Sequence, residues 1–331
     1  MKIAIFSTKY YEREYLDKYN ADKRHKLTYF ELPLTSRTVS MAKDFDAVCI
    51  QLSDKLDAET IVALAKNGIK LISLRSAGFD NVAIAIAVKN KISVMRVPAY
   101  SPQAIAEHAV ALILSLDRKT HKAYNRVREN NFSLQNLMGF NLFGKTVGVV
   151  GTGKIGRAFC TIMLGFGCKV MATDLKQSDE LLAKGVTYTS FENLLEVSDI
   201  ISIHCPLTPK THHLFNENAF LKMKKGAMLI NTSRGGIINT NDVIKALKSA
   251  KVGYLGIDVY EGEEELFFKD LSDEIINDDT IERLMSFNNV IITPHQAFFT
   301  KEALDEIARI TISNFNSFED RIPNGNEVVL V

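Results

Sequence analysis

Gly151-Thr152-Gly153-Lys154-Ile155-Gly156 follows the apolar run Thr146–Val150 directly and opens a stretch of helical character. An acid, Asp174, ends the next apolar run, Lys169–Thr173, roughly twenty residues beyond the loop. That spacing suits a dinucleotide. Gly151 permits a tight strand-to-helix turn, Gly153 lets backbone approach a pyrophosphate, and Gly156 lets the helix pack closely on the strand. The helix start adds unpaired N–H groups and a partial positive charge where two phosphates sit. The Asp174 carboxylate can accept hydrogen bonds from both ribose hydroxyls and repels a 2′-phosphate, so the expected cofactor is NAD rather than NADP.

Ligands of open parallel sheets bind beyond the carboxyl ends of the strands, and four further runs end there in polar residues. His204-Cys205-Pro206 follows Ile200–Ile203; Thr232-Ser233-Arg234-Gly235-Gly236 follows Met228–Asn231; Asp258 follows Leu255–Ile257; Pro294-His295-Gln296 follows Val290–Thr293. Arg234 offers a planar fork that matches a carboxylate, and the glycines after it let the backbone come close to a ligand. His295 has the side chain whose ordinary titration straddles neutral pH, so it is the candidate acid/base. A hydride added to a carbonyl carbon leaves an alkoxide, and an imidazolium must then protonate that oxygen. A carboxylate beside the imidazole would stabilise its charged form and fix its tautomer. Glu261, Glu263, Glu264 and Glu265 are all candidates for that carboxylate, and spacing does not choose among them.

The elements that must position these groups read as α/β throughout. Before the glycine loop, the runs Ile3–Phe6, Ala47–Ile50, Leu71–Leu74 and Ile92–Val97 alternate with helical segments such as Ala58–Asn67. The fingerprint normally lies on the first strand of its domain, so a complete unit precedes it. Ser101-Pro102 starts a long helix, Gln103–Leu116, that enters the second domain. From Lys145 six runs suit a doubly wound sheet: Thr146–Val150, Lys169–Thr173, Ile200–Ile203, Met228–Asn231, Leu255–Ile257 and Val290–Thr293. A last amphipathic segment carries Leu304, Ile307, Ala308, Phe315 and Phe318, and a short tail beyond a Pro-Asn-Gly turn returns to the first domain. The expected fold is therefore two doubly wound parallel-sheet domains with a cleft between them. Residues 1–100 and 299–331 form a discontinuous substrate domain, and 101–298 a Rossmann domain for NAD.

Bulk properties agree with small-molecule chemistry. A chain of 331 residues exceeds what one core usually organises, and 46% hydrophobic residues can fill two. A formal net charge of +1 gives no footprint for nucleic acid or an anionic membrane. Cys49, Cys160, Cys168 and Cys205 show no Cys-x-x-Cys spacing and read as reduced core thiols, so no metal centre is expected. No apolar run approaches the ~20 residues of a membrane span, and a cytoplasmic location follows. Gln103–Leu116 can supply a symmetric helix contact, so a homodimer or higher homo-oligomer is expected.

The sequence resembles the D-isomer-specific 2-hydroxyacid dehydrogenases along its whole length. The resemblance is carried by SLRSAGFDN (Ser73–Asn81), VPAYSPQAIAEHAV (Val97–Val110), VGVVGTGKIG (Val147–Gly156), INTSRGG (Ile230–Gly236), DVYEGE (Asp258–Glu263) and TPHQAF (Thr293–Phe298). It implies that Arg234 binds the substrate carboxylate, that His295 donates the proton and that Glu263 is its partner. It implies further that backbone at Ala77 and Gly78 and the Tyr100 hydroxyl help hold that carboxylate. For NAD it points to Lys154 and Ile155 by main chain, to Asp174, to Cys205, Pro206 and Thr211, to Thr232 and Ser233, and to Asp258 near the nicotinamide carboxamide. The string EGEEELFF looks like the lactate-specific branch, and Phe298 and Phe299 with Tyr100 can wall a pocket for a methyl group. The implied reaction is reversible NADH-dependent reduction of pyruvate to D-lactate. The alternatives are a longer 2-keto acid as substrate, or an NADH-sensing corepressor that binds peptides on the same fold.

Overall fold

Every residue of Ala47–Ile50 and Leu71–Leu74 is buried, as parallel strands covered by helices on both faces must be. The computed structural model describes residues 1–263 and 266–329, and the chain divides into two units, Met1–Ser101 with Phe299–Val331 and Pro102–Phe298. In the first unit, β1 (Lys2–Ile5), α1 (Tyr10–Tyr19), β2 (Lys26–Tyr29), β3 (Ala47–Ile50), α2 (Ala58–Lys66), β4 (Leu71–Leu74), α3 (Ile84–Lys89) and β5 (Ser93–Met95) follow one another. Their sheet is parallel, ordered β2-β1-β3-β4-β5, a flavodoxin-like arrangement. Successive strand residues feed opposite faces. Ala4, Val48, Ile50, Ile72 and Leu74 enter one core, whereas Ile3, Ile5, Ala47, Cys49 and Leu71 enter the other. The apolar pattern does not announce β2, because this edge strand is only partly buried and its Lys-Leu-Thr-Tyr sequence carries little hydrophobic signal.

The second unit runs through α4 (Pro102–Arg118), α5 (Thr120–Arg128), β6 (Thr146–Val150), α6 (Lys154–Gly165), β7 (Lys169–Thr173), α7 (Asp179–Ala183), β8 (Thr187–Tyr188), α8 (Phe191–Val197) and β9 (Ile200–Ile203). It continues through α9 (Glu217–Lys222), β10 (Ala227–Asn231), α10 (Thr240–Lys248), β11 (Val252–Ile257), α11 (Asp279–Met285) and β12 (Val290–Ile292). The sheet has 7 strands, ordered β12-β11-β10-β9-β6-β7-β8, and every neighbouring pair is parallel. Six strands were expected; the seventh, β8, is a 2-residue edge strand too short to register as an apolar run. Strand order reverses between β6 and β9, which places the glycine loop beside the His204-Cys205-Pro206 turn at the switch point where such sheets bind ligands.

The last described helix is α12 (Lys301–Asp320), which belongs to the first unit. The Thr300 hydroxyl caps it by accepting from the Ala303 N–H, and Leu304, Ile307, Ala308 and Phe315 are buried. The tail rejoins the first sheet at β5, where Val328 donates to the Val94 carbonyl at 2.9 Å. No helix among the described residues is long and apolar enough to cross a membrane.

One buried charge organises the first unit. Arg75, 1% exposed, leaves β4 and donates from Nε to Glu12 Oε1 of α1 at 2.9 Å and from Nη2 to the Phe6 carbonyl at 2.9 Å. Removing the acid strands a guanidinium away from water, which costs about 3–5 kcal/mol. Glu12→Ala is therefore expected to lower the stability of this unit by that amount in urea unfolding. A loss under about 1 kcal/mol, the worth of an exposed pair, would show that Arg75 finds other compensation.

Candidate active site

The ends of three neighbouring strands lie in register, since Asn231 pairs with Ile257 and Ile257 with Ile292. At about 4.8 Å per strand, the loops after β10 and β12 leave one sheet edge about 10 Å apart. Arg234 stands on the first and His295 on the second, so residues distant in the chain share an edge.

Asp258, which leaves β11 between them, is fully buried. Its carboxylate accepts the Thr293 hydroxyl at 2.5 Å, the Gln296 N–H at 2.9 Å and the Ala297 N–H at 2.8 Å. His108 of α4 places Nε2 3.3 Å from the same carboxylate and 3.0 Å from the Thr293 hydroxyl oxygen. The carboxylate thus grips the chain on both sides of His295. That grip is needed, because His295 has φ +54°, in the left-handed region that costs a non-glycine residue on the order of 1 kcal/mol. The family resemblance implies a place for Asp258 near the nicotinamide. The structure adds a contact with the histidine loop that neither spacing nor composition reveals.

Glu263 completes the arrangement. Its Oε2 accepts the Tyr260 N–H at 3.0 Å, and its Oε1 lies 3.0 Å from Nδ1 of His295. A carboxylate only accepts, so this contact assigns the histidine proton to Nδ1 and turns Nε2 toward chemistry. Both side chains are mostly enclosed, 13% and 23% exposed, so the pair is screened far less than a surface bridge. Of the four candidate glutamates, Glu261 instead meets His213 and the Thr240 hydroxyl, while Glu264 and Glu265 lie outside the described residues.

Arg234 belongs to a stapled turn. The buried Asn231 side chain accepts the Ser233 N–H at 3.0 Å and donates to the Arg234 carbonyl at 2.9 Å, and the Arg234 guanidinium donates to the Ser233 carbonyl at 2.8 Å. Gly235 lies so close to the next loop that a Cβ there would sit 2.1 Å from the Tyr260 carbonyl carbon. The first glycine after Arg234 is thus required by packing of the turn against the loop that supplies Glu263.

The cofactor candidates sit at the switch point. Gly151 has φ +95°, and a Cβ on it would meet the Cys205 backbone nitrogen at 2.6 Å. A Cβ on Gly156 would strike the Gly151 carbonyl oxygen at 2.0 Å, whereas one on Gly153 meets nothing within 4 Å. The roles of the glycines therefore differ: two close the turn, and one leaves open space above the first turn of α6, where Lys154 and Ile155 present N–H groups. Asp174 is anchored by the Thr152 N–H and hydroxyl on one oxygen and the Lys176 N–H on the other. Burial opposes its charge, but these donors outweigh it and hold the carboxyl below its usual range. Two oxygens have about four acceptor sites, so capacity remains for ribose hydroxyls.

The Ser233 hydroxyl donates to the Cys205 carbonyl at 2.5 Å, tying the β10 loop to the Cys205-Pro206 turn, and Thr211 closes that turn by donating to the Pro206 carbonyl at 2.7 Å. The Thr232 hydroxyl is buried without a hydrogen-bond partner among the described residues, a polar group left available to a ligand. His204 is a different kind of histidine from His295: burial pushes its pKa down to about 3, and Nε2 pairs with the Ser202 hydroxyl at 2.9 Å. It stays neutral. Burial likewise raises the Cys205 thiol to about 11, so that side chain is no nucleophile. In the first unit, Ala77 and Gly78 lie in the loop after β4, whose carbonyls accept from Arg96 and Ser76, and Tyr100 lies beyond β5. The Phe299 ring packs edge-on against Tyr11 at 4.6 Å within that unit.

The family model described as "D-isomer specific 2-hydroxyacid dehydrogenase, NAD binding domain" matches residues 110–297. The chain belongs to the D-isomer-specific 2-hydroxyacid dehydrogenases. It is an NAD-dependent oxidoreductase of that family, and the matched span carries the glycine loop, Asp174 and the Glu263–His295 pair. Among its relatives, 2-hydroxyacid dehydrogenase homolog 1 of Schizosaccharomyces pombe is 47% identical, covering 100% of this chain and 99% of that protein. D-lactate dehydrogenase of Escherichia coli is 46% identical over 99% of this chain and 100% of its own. The apo structure of the D-lactate dehydrogenase from Escherichia coli superposes with a TM-score of 0.89 at 44% identity, covering 99% of this chain and 100% of that one.

The open space above Gly153, the unpartnered Thr232 hydroxyl and the anchored Asp174 charge fit a dinucleotide with an unmodified ribose. Asp174→Ala is expected to weaken NADH binding by roughly tenfold, the worth of hydrogen bonds to a charged acceptor, and to narrow the preference over NADPH. Fluorescence titration with both nucleotides measures this, and an unchanged preference would remove Asp174 from the ribose site.

Proposed function

We propose that this enzyme catalyses the reversible NADH-dependent reduction of pyruvate to D-lactate, with Arg234, Glu263 and His295 as its reacting constellation. The observation that carries this reading is the 3.0 Å contact between Glu263 and His295 on the loop that Asp258 holds. When bound, NADH supplies the hydride that converts the C2 carbonyl to an oxyanion. The protein's own tasks are to aim that carbonyl and to deliver a proton. Arg234 pairs its guanidinium with the keto acid's carboxylate, which removes the rotational freedom of the substrate and fixes which face of C2 is attacked. Imidazolium at His295, its Nδ1–H held by Glu263, gives the Nε2 proton to the C2 oxygen. In the direction of lactate oxidation, neutral Nε2 takes that proton back while Glu263 stabilises the resulting cation.

A proton donor held this way is used only if the oxyanion forms within hydrogen-bond reach, and general acid catalysis of this kind contributes about 10²–10⁴-fold. The Thr232 hydroxyl and the Ser233–Cys205 link support the nucleotide on the same sheet edge in this reading, as do the backbone at Lys154 and Ile155, and Asp258 near the carboxamide. Pyruvate as substrate is supported by the likeness to the D-lactate dehydrogenase of Escherichia coli over nearly the whole chain. Four buried, unpaired thiols suit a reducing, cytoplasmic setting, and assembly as a homodimer or higher homo-oligomer completes the proposal.

NADH oxidation followed at 340 nm with pyruvate, with the product assayed by an enantiomer-specific enzyme, tests the activity; L-lactate, or faster turnover of a branched 2-keto acid, would contradict it. Arg234→Gln is expected to raise KM for pyruvate and lower kcat, together costing at least about 10²-fold in kcat/KM, while NADH affinity stays within twofold. Equal loss of nucleotide and keto acid binding would show that Arg234 holds the turn together instead of the substrate.

A further inference from the structure

His212, His213 and Glu261 form a second cluster of ligating side chains, with no part in the reaction above. One ligand atom from each lies within 4.8 Å of the others. The Nε2 of His213 is 2.5 Å from Glu261 Oε1, and the two imidazoles stack with centroids 3.9 Å apart. Their supports are in place. Glu261 Oε2 accepts the Thr240 hydroxyl at 3.0 Å, the Asn239 amide nitrogen is 3.3 Å from His213 Nδ1, and His213 takes a left-handed φ of +51° while its N–H donates to the Gly236 carbonyl at 2.9 Å. A carboxylate whose second oxygen is held, and an imidazole fixed at its other nitrogen, are how metal ligands are oriented by their surroundings.

We propose that His212, His213 and Glu261 bind one Zn²⁺, or a similar borderline d-block cation, and that the filled site clips the turn carrying Arg234. Two imidazoles and a carboxylate are a donor set for zinc, which takes such ligands at about 2.0–2.2 Å and leaves a fourth position to water; oxygen-seeking Mg²⁺ and Ca²⁺ are disfavoured. The ion takes the place of the proton now shared between His213 and Glu261. Neutral His213 keeps its single proton but carries it on Nδ1 in place of Nε2, and the Asn239 amide turns its oxygen to accept it, giving up the hydrogen bond that oxygen now accepts from the Asp242 N–H. The consequence for the neighbouring turn follows from the backbone. His213 is bonded to Gly236, and Gly235 is pressed against the Tyr260–Glu261 peptide. An ion joining residues 212, 213 and 261 therefore ties together the segments on either side of the residues that follow Arg234. Cysteine spacing gives no sign of such a site, because its ligands come from adjacent histidines and an acid about fifty residues away and meet only through the packing of two loops.

The test uses untagged full-length protein and Zn²⁺ alone, by calorimetry, with Co²⁺ absorption to report the ligand field. Wild type is expected to take up one equivalent, and His212→Asn, His213→Gln and Glu261→Gln are each expected to weaken binding by about tenfold or more. Circular dichroism and NADH binding establish that each variant is folded, and if one is not, the other two decide. Hydrogen exchange is expected to slow at residues 234–238 when Zn²⁺ is added. Absence of saturable uptake by wild type, or wild-type affinity in any folded variant, overturns the site. Uptake without slower exchange overturns the clip. Zn²⁺ binding is independent of which 2-keto acid the enzyme reduces, so its failure leaves the proposed reaction standing.

Discussion

A carboxylate shut away from water holds the candidate active site in shape. Asp258 has no exposure, and an unpaired charge there would be costly, so the donors around it are obligatory: a hydroxyl, two backbone N–H groups and the His108 imidazole. Three of those donors are Thr293, Gln296 and Ala297, which flank His295 on both sides. The need to satisfy Asp258 thus fixes the path of the loop, and the path forces His295 into a left-handed backbone. A histidine there gives up about 1 kcal/mol of backbone energy, which Asp258 and Glu263 together offset.

From that constraint the division of labour among neighbouring loops follows. Parallel strands put their carboxyl ends on one edge, and the register of β10, β11 and β12 brings the stapled Arg234 turn, buried Asp258 and the His295 loop into a row. The nucleotide end is built by sterics more than by charge. Gly151 and Gly156 allow backbone contacts that no side chain could share, and the space over Gly153 remains open. In the proposed reading a single anchored anion, Asp174, discriminates on the ribose. Two histidines at strand ends have different surroundings: His204 packs against Phe159 and the Ser202 hydroxyl, where burial keeps it neutral, whereas His295 has the Glu263 carboxylate as its partner.

Much of this was legible in the residues. The long apolar runs gave their strands nearly to the residue, because strands buried on both faces need unbroken hydrophobic sequence. The partly buried edge strand Lys26–Tyr29 and the two-residue strand Thr187–Tyr188 escaped for the converse reason. Arg234, His295 and Asp174 are candidates by type and position after a strand, and Glu263 by family resemblance where spacing leaves four glutamates open; the fold sets Glu263 against His295. His108, Thr293 and Asn231 were missed as supporting residues. Each acts through a contact between segments far apart in the chain, or, for Asn231, as a polar side chain inside an otherwise apolar strand, and no local pattern encodes that. Adjacent His212 and His213 carry no local signal of a site, since their third partner is supplied only by folding.

In the proposed reaction Glu263 and His295 act as one proton-delivering unit, and a double-mutant cycle on kcat for pyruvate reduction measures that coupling most directly. With Glu263→Gln, His295→Gln and the double variant, the expected result is strong non-additivity, the double variant being no slower than His295→Gln alone, because Glu263 has nothing to act on once the imidazole is gone. Strictly multiplicative losses would mean that the two side chains contribute independently and would contradict the assignment.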